Sequence, residues 1–63
     1  MSVNQKIKEY LEERGITQMW LSKNTGIQYK TINDIVNNVI NVSAVNLGKI
    51  AKALGVSADI FLE

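Results

Sequence analysis

The residues of this sequence whose types and spacing could do chemistry are Lys30, Asn33, Asp34 and Asn37. A rotation of about 100° per residue places them on one face of a helix, opposite a face centred on Ile32. Their ammonium, amide and carboxylate groups donate and accept hydrogen bonds, and no apolar residue interrupts them. Such a face suits the edges of base pairs in a DNA major groove, which admits one helix, and it would equally suit water.

Composition argues against catalysis and metal binding. The sequence contains no histidine and no cysteine, and its carboxylates do not occur at a spacing that would converge in a cleft. We therefore expect no enzyme activity, no cofactor, no structural zinc site and no disulfide. The formal net charge is only +1, from seven Lys and Arg against six Asp and Glu. Charge alone would not have suggested nucleic-acid binding.

Length and hydropathy indicate one small domain over residues 1–63. A chain of this size buries roughly 60% of the surface that its unfolded form exposes. The sequence has no run of 18 or more apolar residues and no basic leader followed by a small-residue cleavage site. We expect a cytoplasmic protein that uses neither a membrane nor a small-molecule substrate.

The elements that must position the polar face lie between Thr17 and Asn37. The pattern predicts a helix over about Gln18–Thr25, capped by the Thr17 hydroxyl and stopped by Gly26. Glycine adopts positive φ cheaply, so the chain can reverse there before a third helix begins near residue 28 or 29. Two short helices across one glycine are typical of a helix-turn-helix.

The flanking segments predict supporting helices. Ser2 can cap the first helix, with Gln5 completing a capping box, and Gly15 ends it. Ser43 can cap the fourth helix, and Ser57 a final turn. The expected inward residues of the first and fourth helices are Val3, Ile7, Tyr10, Leu11, Ala44, Leu47, Ile50, Ala51 and Leu54. The expected fold is therefore all-α, a compact bundle of five short helices.

The run TQxxLSxxTGIxxxTIxxI, from Thr17 to Ile35, resembles the phage-repressor-like (Cro/repressor-type) helix-turn-helix family in order and spacing. ERGIT before it and NLGKIAKALGVSADIFL after it extend the resemblance over nearly the whole chain. The resemblance implies a sequence-specific DNA-binding regulator, a repressor or a Cro-like protein of a phage or mobile element. It also implies double-stranded DNA as the partner, and DNA-bound protein would be associated with the nucleoid.

The resemblance and the residue chemistry together give a set of expected DNA contacts. Gln18 matches a position that binds phosphate through its side chain and the helix N-terminus. The positions that meet bases or flanking phosphates are matched by Gln28, Tyr29, Lys30, Asn33 and Asp34. Lys23 is either a further phosphate contact or a solvated lysine. Asp34 would be repelled by phosphate unless it accepts from cytosine or is neutralised by Lys30. The expected DNA-binding residues are Gln18, Lys23, Gln28, Tyr29, Lys30, Asn33, Asp34 and Asn37.

The sequence departs from the family pattern after the third helix. Asn38 stands where glycine is usual, and asparagine is the next most tolerant residue of left-handed backbone. Val39, Ile40 and Val42 stand where basic residues and proline are common. These apolar side chains either cover the gap between the third and fourth helices or form a dimer or partner contact. We expect a weak homodimer on an approximately palindromic operator, because one short helix rarely binds tightly alone.

Three further residues, Trp20, Gly48 and Phe61, stand out from the pattern. Trp20 stands where the family usually has a polar residue, and it either packs partly against a neighbouring helix or forms an exposed platform. Gly48 lies inside the fourth helix, which indicates either close approach of another helix or simple tolerance. Of the last apolar residues we expect Phe61 to be in the core.

A second class of function competes with DNA binding. The weak positive charge, Asp34 and the uncharged loop would suit a protein-interaction module that keeps the fold with weak or no DNA affinity. An antitoxin-like or anti-repressor partner is an example. DNA binding remains the leading interpretation because the polar outer face of the third helix is intact.

Overall fold

A computed structural model describes residues 2–63. It contains four α-helices, α1 (Val3–Arg14), α2 (Gln18–Thr25), α3 (Tyr29–Val36) and α4 (Ala44–Leu54), followed by a 3-10 turn (Ala58–Phe61). No strand occurs in residues 2–63, so the all-α prediction is confirmed. The prediction of five helices is wrong: the last element has four residues, and the bond from Ile60 N to Ser57 O (3.3 Å) spans three residues rather than four.

Helices α1, α2 and α4 begin where the sequence predicts because each start carries a hydroxyl acceptor, whereas α3 begins after Gln28 without a side-chain cap. The side-chain oxygens of Ser2, Thr17 and Ser43 accept from backbone N–H groups three residues further on, at 3.0–3.1 Å. Ser57 likewise accepts from the backbone N–H of Asp59 at 3.3 Å. Of the predicted capping box, the structure contains the bond from the Gln5 backbone N–H to the Ser2 hydroxyl.

The five elements pack in a closed ring. Helix α1 contacts α3, α3 contacts α2, α2 contacts α4, α4 contacts the 3-10 turn, and the turn contacts α1. Every element sends at least one fully buried side chain to the centre, and these are Ile7, Leu21, Ile32, Ile35, Ile50 and Phe61. Phe61 is therefore a core residue, as predicted. The ring places α3 and α4 on either side of α2.

Two positions at the edge of this core qualify the sequence prediction. Tyr10 is half-buried and meets the Phe61 ring edge-on, with ring centroids 5.6 Å apart, while the Arg14 guanidinium lies 4.4 Å from the Tyr10 centroid. The prediction that Ala44 points inward is wrong, because Ala44 is exposed. It is the first residue of α4, and the buried part of that helix begins a turn later at Leu47.

None of the helices between residues 2 and 63 is long and apolar enough to span a membrane.

Candidate nucleic-acid interface

The corner between α2 and α3 is fixed by hydrogen bonds on both sides of Gly26. Gly26 has φ +76° and donates its N–H to Ser22 O at 3.0 Å. The Ser22 hydroxyl donates to Ile27 O at 2.6 Å, and the Thr25 hydroxyl accepts from Ile27 N at 3.1 Å. Ile27 is buried, as predicted. Ser22 is thus more than a small residue at a helix crossing, because its hydroxyl anchors the chain after the turn.

Helix α3 presents the predicted polar face. Ile32, Ile35 and Val36 are buried and fix the helix against the core. Around the rest of the helix and at its two ends, the predicted site residues have solvent access. Gln28, Tyr29, Lys30 and Asn37 are exposed, whereas Asn33 and Asp34 are half-buried.

A row of side-chain amides joins α3 to the start of α2. Asn37 Nδ2 donates to Asn33 Oδ1 at 3.0 Å, and Asn33 Nδ2 donates to Gln18 Oε1 at 3.0 Å. Both bonds run in the same direction, so the row ends with the Gln18 carbonyl occupied as an acceptor. Its NH₂ group remains the donor. We call Gln18, Asn33 and Asn37 the amide row.

Lys30 and Asp34 form an ion pair on α3, with 3.2 Å between Lys30 Nζ and Asp34 Oδ2. The lysine side chain is exposed and the aspartate side chain is mostly covered. The pair has its lysine on the N-terminal side, the weaker order, so it contributes about 0.3 kcal/mol or less to helix stability. Its main effect is electrostatic, since it partly neutralises the one carboxylate on this face.

Lys23 and Trp20 lie on α2 apart from the amide row. Lys23 follows Gln18 by five residues, which places it about 7.5 Å further along the axis and about 140° around it. Helix geometry therefore directs Lys23 away from Gln18. The Trp20 side chain is 42% exposed, so it packs only in part and leaves apolar surface open to a partner.

The loop after α3 is held by Asn4, a residue that the sequence analysis missed. Asn4 is only 3% exposed. Its Nδ2 donates to Asn38 Oδ1 at 3.2 Å and to Ile40 O, and its Oδ1 accepts from Val42 N at 3.1 Å. Asn38 has φ +60°, the left-handed conformation predicted for it. Asn4 could not be recognised in the sequence because an asparagine in the first turn of a helix is usually on the surface.

The two alternatives for the apolar loop apply to different residues. Val42 is half-buried and packs on the core, so it covers the gap between α3 and α4. Val39 and Ile40 are exposed, at 69% and 41%. These two side chains remain available for a contact between molecules.

Residues 2–63 contain no group of three or more Asp and Glu side chains placed to hold a metal ion. Helices α2 and α3 are joined at a glycine corner, and α3 presents a polar face. These features define a helix-turn-helix protein. The chain belongs to the Cro/C1-type family: a family model described as "Helix-turn-helix" matches residues 7–61.

Family membership confirms the resemblance seen in the sequence. The family consists of DNA-binding regulatory domains and is not a family of enzymes. No curated protein and no solved structure matches the chain with significant similarity.

Proposed function

We propose that this protein is a sequence-specific transcriptional regulator, a repressor or Cro-like protein of a phage or mobile element, that reads the major groove with α3. The observation that carries the proposal is the amide row, which links the outer face of α3 to the first turn of α2. A base-reading helix must be held in a fixed position relative to phosphate-binding groups. The bond between Asn33 and Gln18 couples those two tasks directly.

On the base side, the chemistry assigns different roles to neighbouring residues. The exposed Lys30 ammonium can donate to guanine O6 and N7, and Tyr29 can contact a thymine methyl group. Asn33 can pair with adenine or bridge to a base through water, because its amide offers both donors and an acceptor. Gln28 and Asn37 lie at the two ends of α3, where they can reach flanking bases or phosphates.

On the backbone side, α2 supplies the phosphate contact. The N–H groups of Trp20 and Leu21 are occupied by Thr17, through its hydroxyl and its carbonyl respectively. The N–H groups of Gln18 and Met19, in the first turn, can therefore point at an anion together with the Gln18 amide. Lys23 would reach a phosphate further along the duplex.

We further propose that residues 1–63 act as one helix-turn-helix domain and bind as a weak homodimer. Two copies related by a two-fold axis would place their α3 helices one turn of DNA apart, roughly 34 Å, on an approximately palindromic operator. The exposed Val39 and Ile40 supply an apolar surface for this contact, while Val42 packs on the core. A regulator of this kind acts in the cytoplasm and is associated with the nucleoid when bound.

A gel shift with the DNA that flanks the protein's own gene tests the proposal. We expect a retarded complex that survives an excess of random-sequence duplex and gives a footprint with two related halves. A complex that random duplex removes as easily as specific duplex would contradict sequence-specific binding.

The alternative is a protein-interaction module with weak or no DNA affinity. Its supporting observations are that Lys30 is paired with Asp34 and that the loop from Asn37 to Val42 carries no cation. In the same gel shift this alternative gives no retarded complex at any salt concentration.

A further inference from the structure

The small net charge of the chain conceals an uneven distribution. Between Gly15 and Ala58 the only acidic residue is Asp34, and it is paired with Lys30. Helices α2 and α4 therefore carry Lys23, Lys49 and Lys52 without any carboxylate of their own. Within residues 2–63 none of these three lysines lies in an ion pair. This part of the molecule is cationic, and no carboxylate within residues 2–63 pairs with these lysines.

Two of these lysines border a cleft between α2 and α4. The cleft has a volume of about 410 Å³, and its walls are Asn24 and Thr25 from the last turn of α2 and Lys49, Lys52 and Ala53 from α4. Both lysines are exposed. The Asn24 amide and the Thr25 hydroxyl already donate to carbonyls of α2. The two lysine ammonium groups are therefore the donors that the cleft offers to a partner.

The cleft is separate from the proposed DNA-reading face. Helix α2 packs against both α3 and α4, whereas the backbones of α3 and α4 do not approach each other closely in the described part of the chain. A duplex lying on α3 would therefore meet the opposite side of α2 from the cleft. The two surfaces can be occupied at the same time.

We propose that the cleft between α2 and α4 is a docking site for an acidic helix of a partner protein. Lys49 and Lys52 are three residues apart on α4, so their side chains emerge about one turn apart on one face. Carboxylates at the same spacing on a partner helix would match them. Charge complementarity of this kind mainly sets association rate and partner choice.

The inference does not rest on the proposed DNA-binding function, and its main test uses a peptide. The probe is a blocked, helical peptide of alanine and glutamate, about 15 residues long so that it can form a helix alone, with glutamates three and four residues apart. It is titrated into the ¹⁵N-labelled protein at low salt. We expect the amide shift changes to cluster at Asn24, Thr25 and residues 49–53.

Matched variants separate the cleft from general charge attraction. The double variant Lys49→Ala, Lys52→Ala should weaken peptide binding about tenfold, the effect of removing two partly screened charge contacts. The control Lys6→Ala, Lys8→Ala removes the same charge from α1 and should change affinity less than about twofold. Both replacements favour helix, so circular dichroism should show an intact fold in each.

Three results would overturn the proposal. Equal losses in the two double variants would reduce the binding to net charge, and shift changes centred on α3 would place the peptide on the wrong face. If a random-sequence duplex shifts residues 49–53 while the peptide does not, the surface contacts nucleic acid instead.

Discussion

Gln18 and Asn33 are joined by a single hydrogen bond across the corner, so we expect their effects on DNA affinity to be interdependent. We expect Gln18→Ala and Asn33→Ala each to weaken specific binding by about 1–3 kcal/mol. The double variant should lose less than the sum, with a coupling energy of about 0.5 kcal/mol or more. Fluorescence anisotropy with specific and random duplexes measures all the terms. Asn24→Ala, on the far end of α2, is the control.

Strict additivity of the two losses would show that the bond plays no part in DNA binding. Lys30→Ala belongs to the same series and should reduce specific affinity by about 1–3 kcal/mol with thermal stability nearly unchanged. If Lys30→Ala weakens specific and random binding equally, Lys30 is a backbone contact and does not read bases.

Asn4 stabilises the protein through its hydrogen bonds to the loop after α3. We expect Asn4→Ala to lower the free energy of unfolding by about 1–3 kcal/mol, because Ile40 O and Val42 N lose their partner at a partly buried site. Urea denaturation measures the change. Asn41→Ala, an exposed asparagine in the same loop, should stay within about 0.5 kcal/mol of the parent. Equal stability of the two variants would contradict the role assigned to Asn4.

At the scale of the elements, Gly48 is a weak point inside α4. A Cβ built on Gly48 meets no other atom within 4 Å, so no neighbouring element of the chain requires a glycine there. Simple tolerance therefore describes it within the chain. We expect Gly48→Ala to raise the free energy of unfolding by about 0.5–1 kcal/mol, the difference in helix propensity. Thermal unfolding followed by circular dichroism checks this.

Gly26 is the matched glycine with the opposite expectation. Space around it is equally open, but its φ of +76° is unfavourable for any residue with a Cβ. We expect Gly26→Ala to destabilise by about 1 kcal/mol or more. A gain in stability from both alanines would mean that the corner does not depend on the backbone conformation described for it.

The element boundaries could be predicted because they depend on local chemistry. A hydroxyl at Thr17 or Ser43, a glycine at residue 26 and apolar residues at helical spacing act within one or two turns of themselves. The left-handed Asn38 is equally local. The sequence predicts a helix for the final turn because Ser57 can cap either form, and only the hydrogen bonds that span three residues identify it as a 3-10 turn.

The candidate site can be predicted less completely, because some of its hydrogen bonds join residues that are distant in sequence. That α3 would present Lys30, Asn33 and Asn37 follows from periodicity alone. The bond between Asn33 and Gln18, and the bonds from Asn4 to the loop, require helices to be brought together at a particular crossing. Nothing in the local sequence of Asn4 distinguishes it from a solvated asparagine.

At the scale of the whole molecule, self-association is expected to be weak and dependent on DNA. The exposed apolar surface of Val39 and Ile40 is small, so two copies should pair at micromolar concentration or above when free and more tightly on an operator. Analytical ultracentrifugation with and without a palindromic site measures both states. Binding as a single copy to an asymmetric half-site, even at high concentration, would rule out the dimer.

Ile40→Glu separates the dimer contact from the fold. Its carbonyl, not its side chain, bonds to Asn4, and the side chain is exposed, so the fold should survive. Paired binding should be lost because two carboxylates would face each other across the two-fold axis. An unfolded variant would show instead that Ile40 belongs to the core.

The affinity for DNA should depend less steeply on salt concentration than is usual for this family. Few cations lie near the corner, and Lys30 is already paired. Each neutralised phosphate contributes about 0.9 to the slope of log affinity against log salt on duplex DNA. We expect a dimer slope no steeper than about −8, measured by anisotropy across a salt series. A steeper slope would mean that more phosphates are neutralised than this surface provides.

The closed ring of elements also sets when the protein can fold during synthesis. Helix α1 is made first, but one of the two elements it packs against is the 3-10 turn, and Phe61 from that turn completes the core beside Tyr10. At about 5–20 residues per second, the ribosome leaves α1 without this partner for several seconds. The nascent chain must pass that interval with its apolar face uncovered. A chaperone that binds the new chain should therefore be released only after Phe61 has left the ribosome.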